Sequence, residues 1–196
     1  MRKIIVCTMI SLDGYYEGRG KDVMALPFDE GFSAYNLERL RAADTLLLGR
    51  TSFEGFRGYW PPIADDPGAP PIEREISRHN NAIDKVVVSD SLTPGETAPW
   101  HNTRIVKRSG ARDEVAELKR RPGKEILVFG SHLMWNDLFA AGLVDELHLM
   151  VGPGFVGGGT PVFEGRSPVR LRLLENRRLD GSELVLLRYG TLGQGG

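Results

Sequence analysis

Apolar residues in this chain fall into short unbroken runs, most of them closed by a glycine or a small polar residue. Residues 125–142 show the pattern most plainly. Ile126, Leu127, Val128 and Phe129 form a run suited to burial on both faces of a central strand. Gly130 ends the run. Leu133, Met134, Asp137, Leu138 and Ala141 then follow a helical period, and Gly142 stands where a helix C-terminal cap belongs. The pattern predicts strand, glycine, helix, with the helix beginning at about Ser131 or His132. The first N–H groups of such a helix lack internal partners and point beyond the strand end, a setting suited to phosphate. An ordinary strand-to-helix turn carries the same signature.

The same logic runs along the chain. Residues 3–10 predict a first central strand, and Ser11-Leu12-Asp13-Gly14-Tyr15 predicts a turn, because Asp-Gly is a strong turn pair. Residues 16–31, with Gly18, Gly20, Pro27 and Gly31, read as an irregular loop covering a site. Ser33 is placed to cap a helix running to about Ala43. Residues 45–48 predict a second central strand that meets Gly49 directly. Thr51 and Glu54 have the spacing of a capping box, so a helix is expected to start there and to break at Pro61-Pro62. A short helix over 72–81, strands over 85–89 and 104–106, and an amphipathic helix over 111–121 follow. The pattern then changes. Residues 146–151, about 169–176 and 182–189 predict strands with no helices between them, paired antiparallel at one side of the sheet. Gly157-Gly158-Gly159, in the connection 152–164, predicts a tight bend or bulge. The fold class is α/β. One domain over 1–190 has a mostly parallel central sheet of about eight strands, antiparallel C-terminal strands and about four flanking helices. A glycine-rich, flexible tail over 191–196 completes the chain.

Composition sets limits on function. The chain has 196 residues, 41% of them hydrophobic, enough for one full core. The net charge of −1 offers no basic field for nucleic acid or an anionic membrane. No apolar segment approaches a membrane span, and no signal peptide is recognisable, so a cytoplasmic location is expected. Cys7, the single cysteine, lies in an apolar strand and reads as an inert buried thiol. His79, His101, His132 and His148 are scattered without metal-ligand spacing, so no metal site is expected.

The common nucleotide motifs fail in turn. The first strand-to-helix connection lacks G-x-G-x-x-G, no Walker lysine follows a glycine loop, and no G-x-S-x-G elbow occurs. Two helix N-termini remain, after Leu48 and after Phe129, together with the polar strand end at Ser89. In an open α/β sheet, ligands sit beyond the carboxyl ends of the strands, and all three features lie there. Arg50 stands in a first helical turn, against the preference of the helix dipole, which suits an anion that pairs with it.

Leu-Gly-Arg-Thr-Ser-Phe-Glu, Val-Ser-Asp-Ser, and Thr-Arg-Ile-Val followed by a helix and Ile-Leu-Val-Phe-Gly-Ser resemble the dihydrofolate reductase superfamily in order and spacing. Ser-Leu-Asp-Gly-Tyr, Gly-Tyr-Trp-Pro at 58–61 and Gly-Gly-Gly-Thr-Pro-Val-Phe at 157–163 resemble its riboflavin-biosynthesis reductase branch, the RibD C-terminal-like domains. The resemblance spans about residues 3 to 189. It implies a dihydrofolate reductase-like fold, a homodimer and NADPH. Gly49, Arg50 and Thr51 would meet the adenosine end and phosphates, Ser89 the 2′-phosphate, and Gly130, Ser131, His132 and Leu133 the pyrophosphate. Three features depart from the pattern. Dihydrofolate reductases carry Gly-Gly where this chain has Gly130-Ser131. Asp65-Asp66-Pro67 lacks the following arginine that would hold a ribose phosphate. The deaminase motifs His-x-Glu and Pro-C-x-x-C are missing.

The function expected on this basis is NADPH-dependent reduction of a small heterocycle, pteridine- or aminopyrimidine-like, resembling 5-amino-6-(5-phosphoribosylamino)uracil reductase. Dihydrofolate reduction and a non-catalytic nucleotide-binding module are the alternatives. Hydride transfer to a C=N bond also needs a proton, and Asp13 is the candidate to relay it, unless it only makes its turn. Tyr15 and Trp60 could stack on a planar ring or simply pack the core.

Overall fold

All seven residues of strand β1 (Ile4–Ile10) are buried, as an apolar run with no polar alternation requires of a strand covered on both faces. The computed structural model describes residues 1–163 and 169–192. Around β1 the main sheet has the order β5-β4-β3-β6-β1-β7-β10-β9. Its strands are β3 (Ala43–Gly49), β4 (Asp84–Val88), β5 (Thr103–Val106), β6 (Glu125–Phe129), β7 (Glu146–Val151), β9 (Leu171–Arg178) and β10 (Val185–Thr191). Pairing is parallel from β5 through β7 and antiparallel at β7–β10 and β10–β9. These are the eight strands that the apolar runs predict. Helices α1 (Glu30–Ala42), α2 (Arg50–Ile63) and α3 (Pro71–Ala82) cover one face, around Leu40, Phe53 and Ile76. Helices α4 (Ala111–Arg120) and α5 (His132–Ala140) cover the other, around Val115, Trp135 and Leu138. No helix among the described residues is long and apolar enough to cross a membrane.

Local expectations needed correction where a tertiary partner outweighed a local signal. Helix α1 starts at Glu30, not after Ser33. Asp29 is its cap, accepting from the Phe32 N–H at 2.9 Å and from the Ser182 hydroxyl in the β9–β10 turn. Helix α2 starts at Arg50 with Gly49 as its cap, and the Thr51–Glu54 capping box does not form. Glu54 instead takes the Arg50 Nε–H at 2.7 Å. The helix also runs through Pro61 and Pro62. Its last carbonyls find partners across the helix pair: Ser77 donates to Trp60, Asn81 to Pro61 and Arg78 to Ala64. The described residues hold five α-helices rather than about four.

Residues 16–31 are not wholly irregular. They contribute most of β2 (Tyr15–Gly18), which pairs antiparallel with β8 (Gly159–Pro161) as a separate two-stranded sheet. A Cβ on Gly159 would lie 2.0 Å from the Glu17 carbonyl oxygen, so only glycine permits that approach. The two C-terminal strands begin and end about one dipeptide later than expected. The Ser182 hydroxyl, accepting from Leu184 N–H at 2.9 Å, holds residues 182–184 in the hairpin turn. Gly190 and Thr191 pair with Arg172 and Leu171 as strand, and residues 193–196 of the expected tail lie outside the described residues.

Candidate active site

The parallel strands bring the ends of β1, β3, β4 and β6 to one edge of the sheet, and α2 and α5 both begin there. Ser131 ties these two helix starts together. Its hydroxyl accepts from the Gly49 N–H at 2.9 Å and donates to the Phe129 carbonyl at 3.2 Å, while its N–H donates to the Ser52 hydroxyl at 2.7 Å. Gly130 and Ser131 both adopt left-handed backbone, φ 56° and 57°. For serine that conformation is uncommon and costs energy; the three hydrogen bonds hold it in place. Gly130 cannot carry a side chain, because a Cβ there would meet the Ser52 hydroxyl at 2.8 Å and the Tyr16 hydroxyl at 3.4 Å. The second glycine of the dihydrofolate reductase pattern is thus replaced by a residue that keeps the left-handed turn and adds a clasp.

The His132 ring turns into the protein. It is buried, with Nε2 3.0 Å from the Val162 carbonyl, stacked on Tyr16 at 4.8 Å and edge-on to Trp135. What His132 and Leu133 can offer an anion is their place in the first turn of α5. The Leu133 side chain is 70% exposed.

At the α2 start, Arg50 is half-exposed, held by Glu54 and by a hydrogen bond to the Ser91 hydroxyl. Thr51 is exposed in the same turn. Ser89 is placed differently from expectation. It is 1% exposed, and its hydroxyl accepts from the N–H groups of Ser91 and Leu92 at 3.2 and 3.0 Å. The residue inside that turn is therefore Ser89, and the hydroxyl presented beside Arg50 is that of Ser91. Asp90 turns toward the β5 end, accepting from the Arg108 N–H at 2.9 Å.

Asp13 is exposed but fully engaged. It accepts from the Ser11 hydroxyl at 2.6 Å, from Val156 N–H at 3.1 Å and from Gly157 N–H at 2.8 Å. The Ser11 bond first, and the two backbone bonds with it, hold its carboxyl below the usual carboxylate range. At neutral pH it is an anion that accepts all three of these bonds. Trp60 packs on Tyr59 and the core, which accounts for one of the two candidate stacking rings. Two open depressions lie at the other ends of the strands, near Asp44, His79 and Lys85. Their charged groups close on the protein itself, as in Arg2 to Thr45 at 2.8 Å and Lys85 to the Ile83 carbonyl at 2.6 Å.

Sequence reasoning missed Ser52 and Tyr16. Ser52 follows Thr51 in the same motif. Tyr16 was hidden in a segment read as loop.

The architecture is a dihydrofolate reductase-like α/β fold with its helix starts gathered at the strand C-termini. Residues 2–185 match the RibD C-terminal domain, and the chain belongs to that family. It is 30% identical over 191 residues to the uncharacterized protein YyaP of Bacillus subtilis (strain 168), covering 96% of this chain and 94% of that protein. A putative riboflavin biosynthesis protein from Shewanella sp. PV-4 superposes with a TM-score of 0.69 at 21% identity, over 97% of this chain and 99% of the other. Dihydrofolate reductase from Enterococcus faecalis, complexed with NADP(H), superposes with a TM-score of 0.59 at 14% identity, over 96% of each chain.

Proposed function

We propose that this protein is an NADPH-dependent reductase of a small planar heterocycle. The observation that carries the reading is the Ser131 clasp, which sets the α2 and α5 N-termini side by side with Arg50 at their margin. Two adjacent helix starts suit two linked phosphates, and a flanking arginine suits a third. Gly49, Arg50 and Thr51 would hold the adenosine end, with Ser91 taking the place expected for Ser89. Gly130, Ser131, His132 and Leu133 would border the pyrophosphate, the left-handed turn letting backbone approach it closely. The cofactor, when bound, supplies hydride. The family membership and the NADP(H)-bound relative of the same fold support this choice. The test is NADPH oxidation followed at 340 nm (the nicotinamide band) against pteridines, aminopyrimidines and dihydrofolate. Tight NADPH binding with no turnover on any of them would favour the nucleotide-binding module.

We assign Asp13 to anchoring the 152–159 connection. Asp13→Asn places an N–H donor or a weaker acceptor against Val156 and Gly157. The expected result is faster amide exchange at those two residues and faster proteolysis between them, with NADPH affinity unchanged. Full protection together with lost turnover would favour the proton-relay role instead.

The far edge of the sheet supports a homodimer. Among the described residues strand β9 has no partner on its outer side, and Leu173, Leu174 and Val185 are at least 40% exposed on β9 and β10. An apolar sheet edge of this kind calls for a cover, and a second copy supplies a matching one by two-fold symmetry. Light scattering should give twice the chain mass of 21.7 kDa at micromolar concentration. A stable monomer would refute it.

A further inference from the structure

We propose that the Tyr16 hydroxyl donates a hydrogen bond, and then its proton, to the heteroatom of the substrate double bond that receives hydride. This rests on the reductase reading above. Tyr16 lies where the β2–β8 register shifts, between Tyr15 and Glu17. Such irregularities re-aim a side chain out of the regular ladder, and they recur beside active sites. Here the ring leaves the small sheet and stacks on His132 at 4.8 Å and 21°. His132 is itself held by the Val162 carbonyl and by Trp135. The ring is therefore clamped. Its hydroxyl stands over the left-handed Gly130 turn, 3.4 Å from where a Cβ would be, at the junction of β6 and α5.

No hydrogen bond is made by that hydroxyl among the described residues. A tyrosine hydroxyl in a half-buried setting normally finds a partner. The Ser52 hydroxyl under the same turn accepts from Ser131 N–H. The Tyr16 O–H therefore has its proton available for a substrate heteroatom. Burial, with a smaller push from the Glu17 charge, moves its phenol up to about 12, so it stays protonated at neutral pH.

The chemistry balances with reduced nicotinamide as the hydride source. A C–H bond of the reduced nicotinamide would break as its hydride forms a C–H bond with the substrate carbon. The π pair of the C=N bond moves onto nitrogen. The Tyr16 O–H bond breaks as the new N–H bond forms, and the tyrosinate regains a proton from water. NADP⁺ and the dihydro product leave.

Tyr16→Phe keeps the ring, its stack on His132 and the space over Gly130. The probe for binding is lumazine, a fluorescent planar heterocycle with C=N bonds, titrated without cofactor. The variant should bind lumazine roughly tenfold more weakly. With the best acceptor its kcat should fall by about a hundredfold or more, the usual range for a lost general acid. NADPH affinity should fall by far less than kcat does, since the backbone of the Gly130 turn, which the variant leaves intact, would hold the pyrophosphate. Unchanged kcat in the variant overturns the proposal. A wild type that binds lumazine but turns over no acceptor refutes the reductase reading instead. The lumazine comparison then decides alone: a tenfold loss keeps the hydroxyl as a heterocycle contact, and equal affinity removes it. A wild type that neither binds lumazine nor turns over overturns both.

Discussion

Replacing Arg50 by alanine is expected to weaken NADPH binding by roughly ten- to a hundredfold and to leave NADH binding nearly unchanged. The two cofactors differ by one 2′-phosphate, and a charge-assisted arginine–phosphate contact acts on that group alone. In the free protein Arg50 is shared between Glu54 at 2.7 Å and the Ser91 hydroxyl. The Glu54 pair is an exposed i,i+4 ion pair, which contributes little and is screened by salt. It sets the direction of the guanidinium while leaving donors for a phosphate. Ser91→Ala should reproduce a small part of the Arg50 effect, and Ser89→Ala should act on folding through the buried turn. Fluorescence titration of both cofactors against the three variants checks this. Equal losses for NADPH and NADH, or a wild type that prefers NADH, would remove the adenosine end from the α2 start.

The largest expected effect on stability belongs to Glu146. It is 5% exposed, takes hydrogen bonds from Lys3 at 2.7 Å, His148 at 2.9 Å and Arg188 at 3.1 Å, and sits under α1. The Tyr35 hydroxyl is 2.8 Å from His148 Nδ1, and His148 Nε2 lies 2.9 Å from Glu146 and 3.2 Å from Arg188 Nε. Glu175 takes the other end of Arg188 at 2.7 Å. With Glu146 gone Arg188 keeps Glu175 and Lys3 is largely exposed, so the loss is of the hydrogen bonds from His148 and Arg188, at a cost of about 3 kcal/mol. Glu146→Leu should therefore lower the melting temperature by roughly 10 °C.

Acid should act through the same network. Burial pushes the Glu146 carboxyl up, but the bonds from Lys3, His148 and Arg188 outweigh it and bring it to about 2. Burial lowers His148 to about 4, against the pull of Glu146. The unfolded chain then takes up a proton at His148 that the folded chain refuses, from pH near 6.5 down to about 4. Glu146 adds to this below about pH 4.5, and its share is gone at about pH 2. Stability should be full above about pH 6.5 and decline steadily below it. Denaturant midpoints from pH 8 to 3 measure this. A flat profile between pH 7 and 5 would contradict a neutral His148. His148→Gln should remove the upper part of the decline.

Much of the frame was legible in the chain. Unbroken apolar runs such as 126–129 and 45–48 can be buried only as strands covered on both sides, and the eight runs are the eight strands of the main sheet. Gly49 and Gly130 marked the two helix starts, and Arg50 was legible as a cation in a first helical turn, where it is disfavoured. Tertiary contacts decided the rest. Asp29 rather than Ser33 caps α1 because the β9–β10 turn delivers Ser182 to it, across 153 residues of sequence. Ser131 became a clasp, and Ser89 an internal turn residue, through partners that no local pattern names. Tyr16 and β2 were invisible because their pairing depends on Gly159, distant in sequence and close only once the sheet has formed. Local period and turn chemistry determine which segments are strand or helix. Which hydroxyl or carboxylate faces the site depends on long-range packing, where one hydrogen bond from a remote residue outweighs a few tenths of a kcal/mol of local preference.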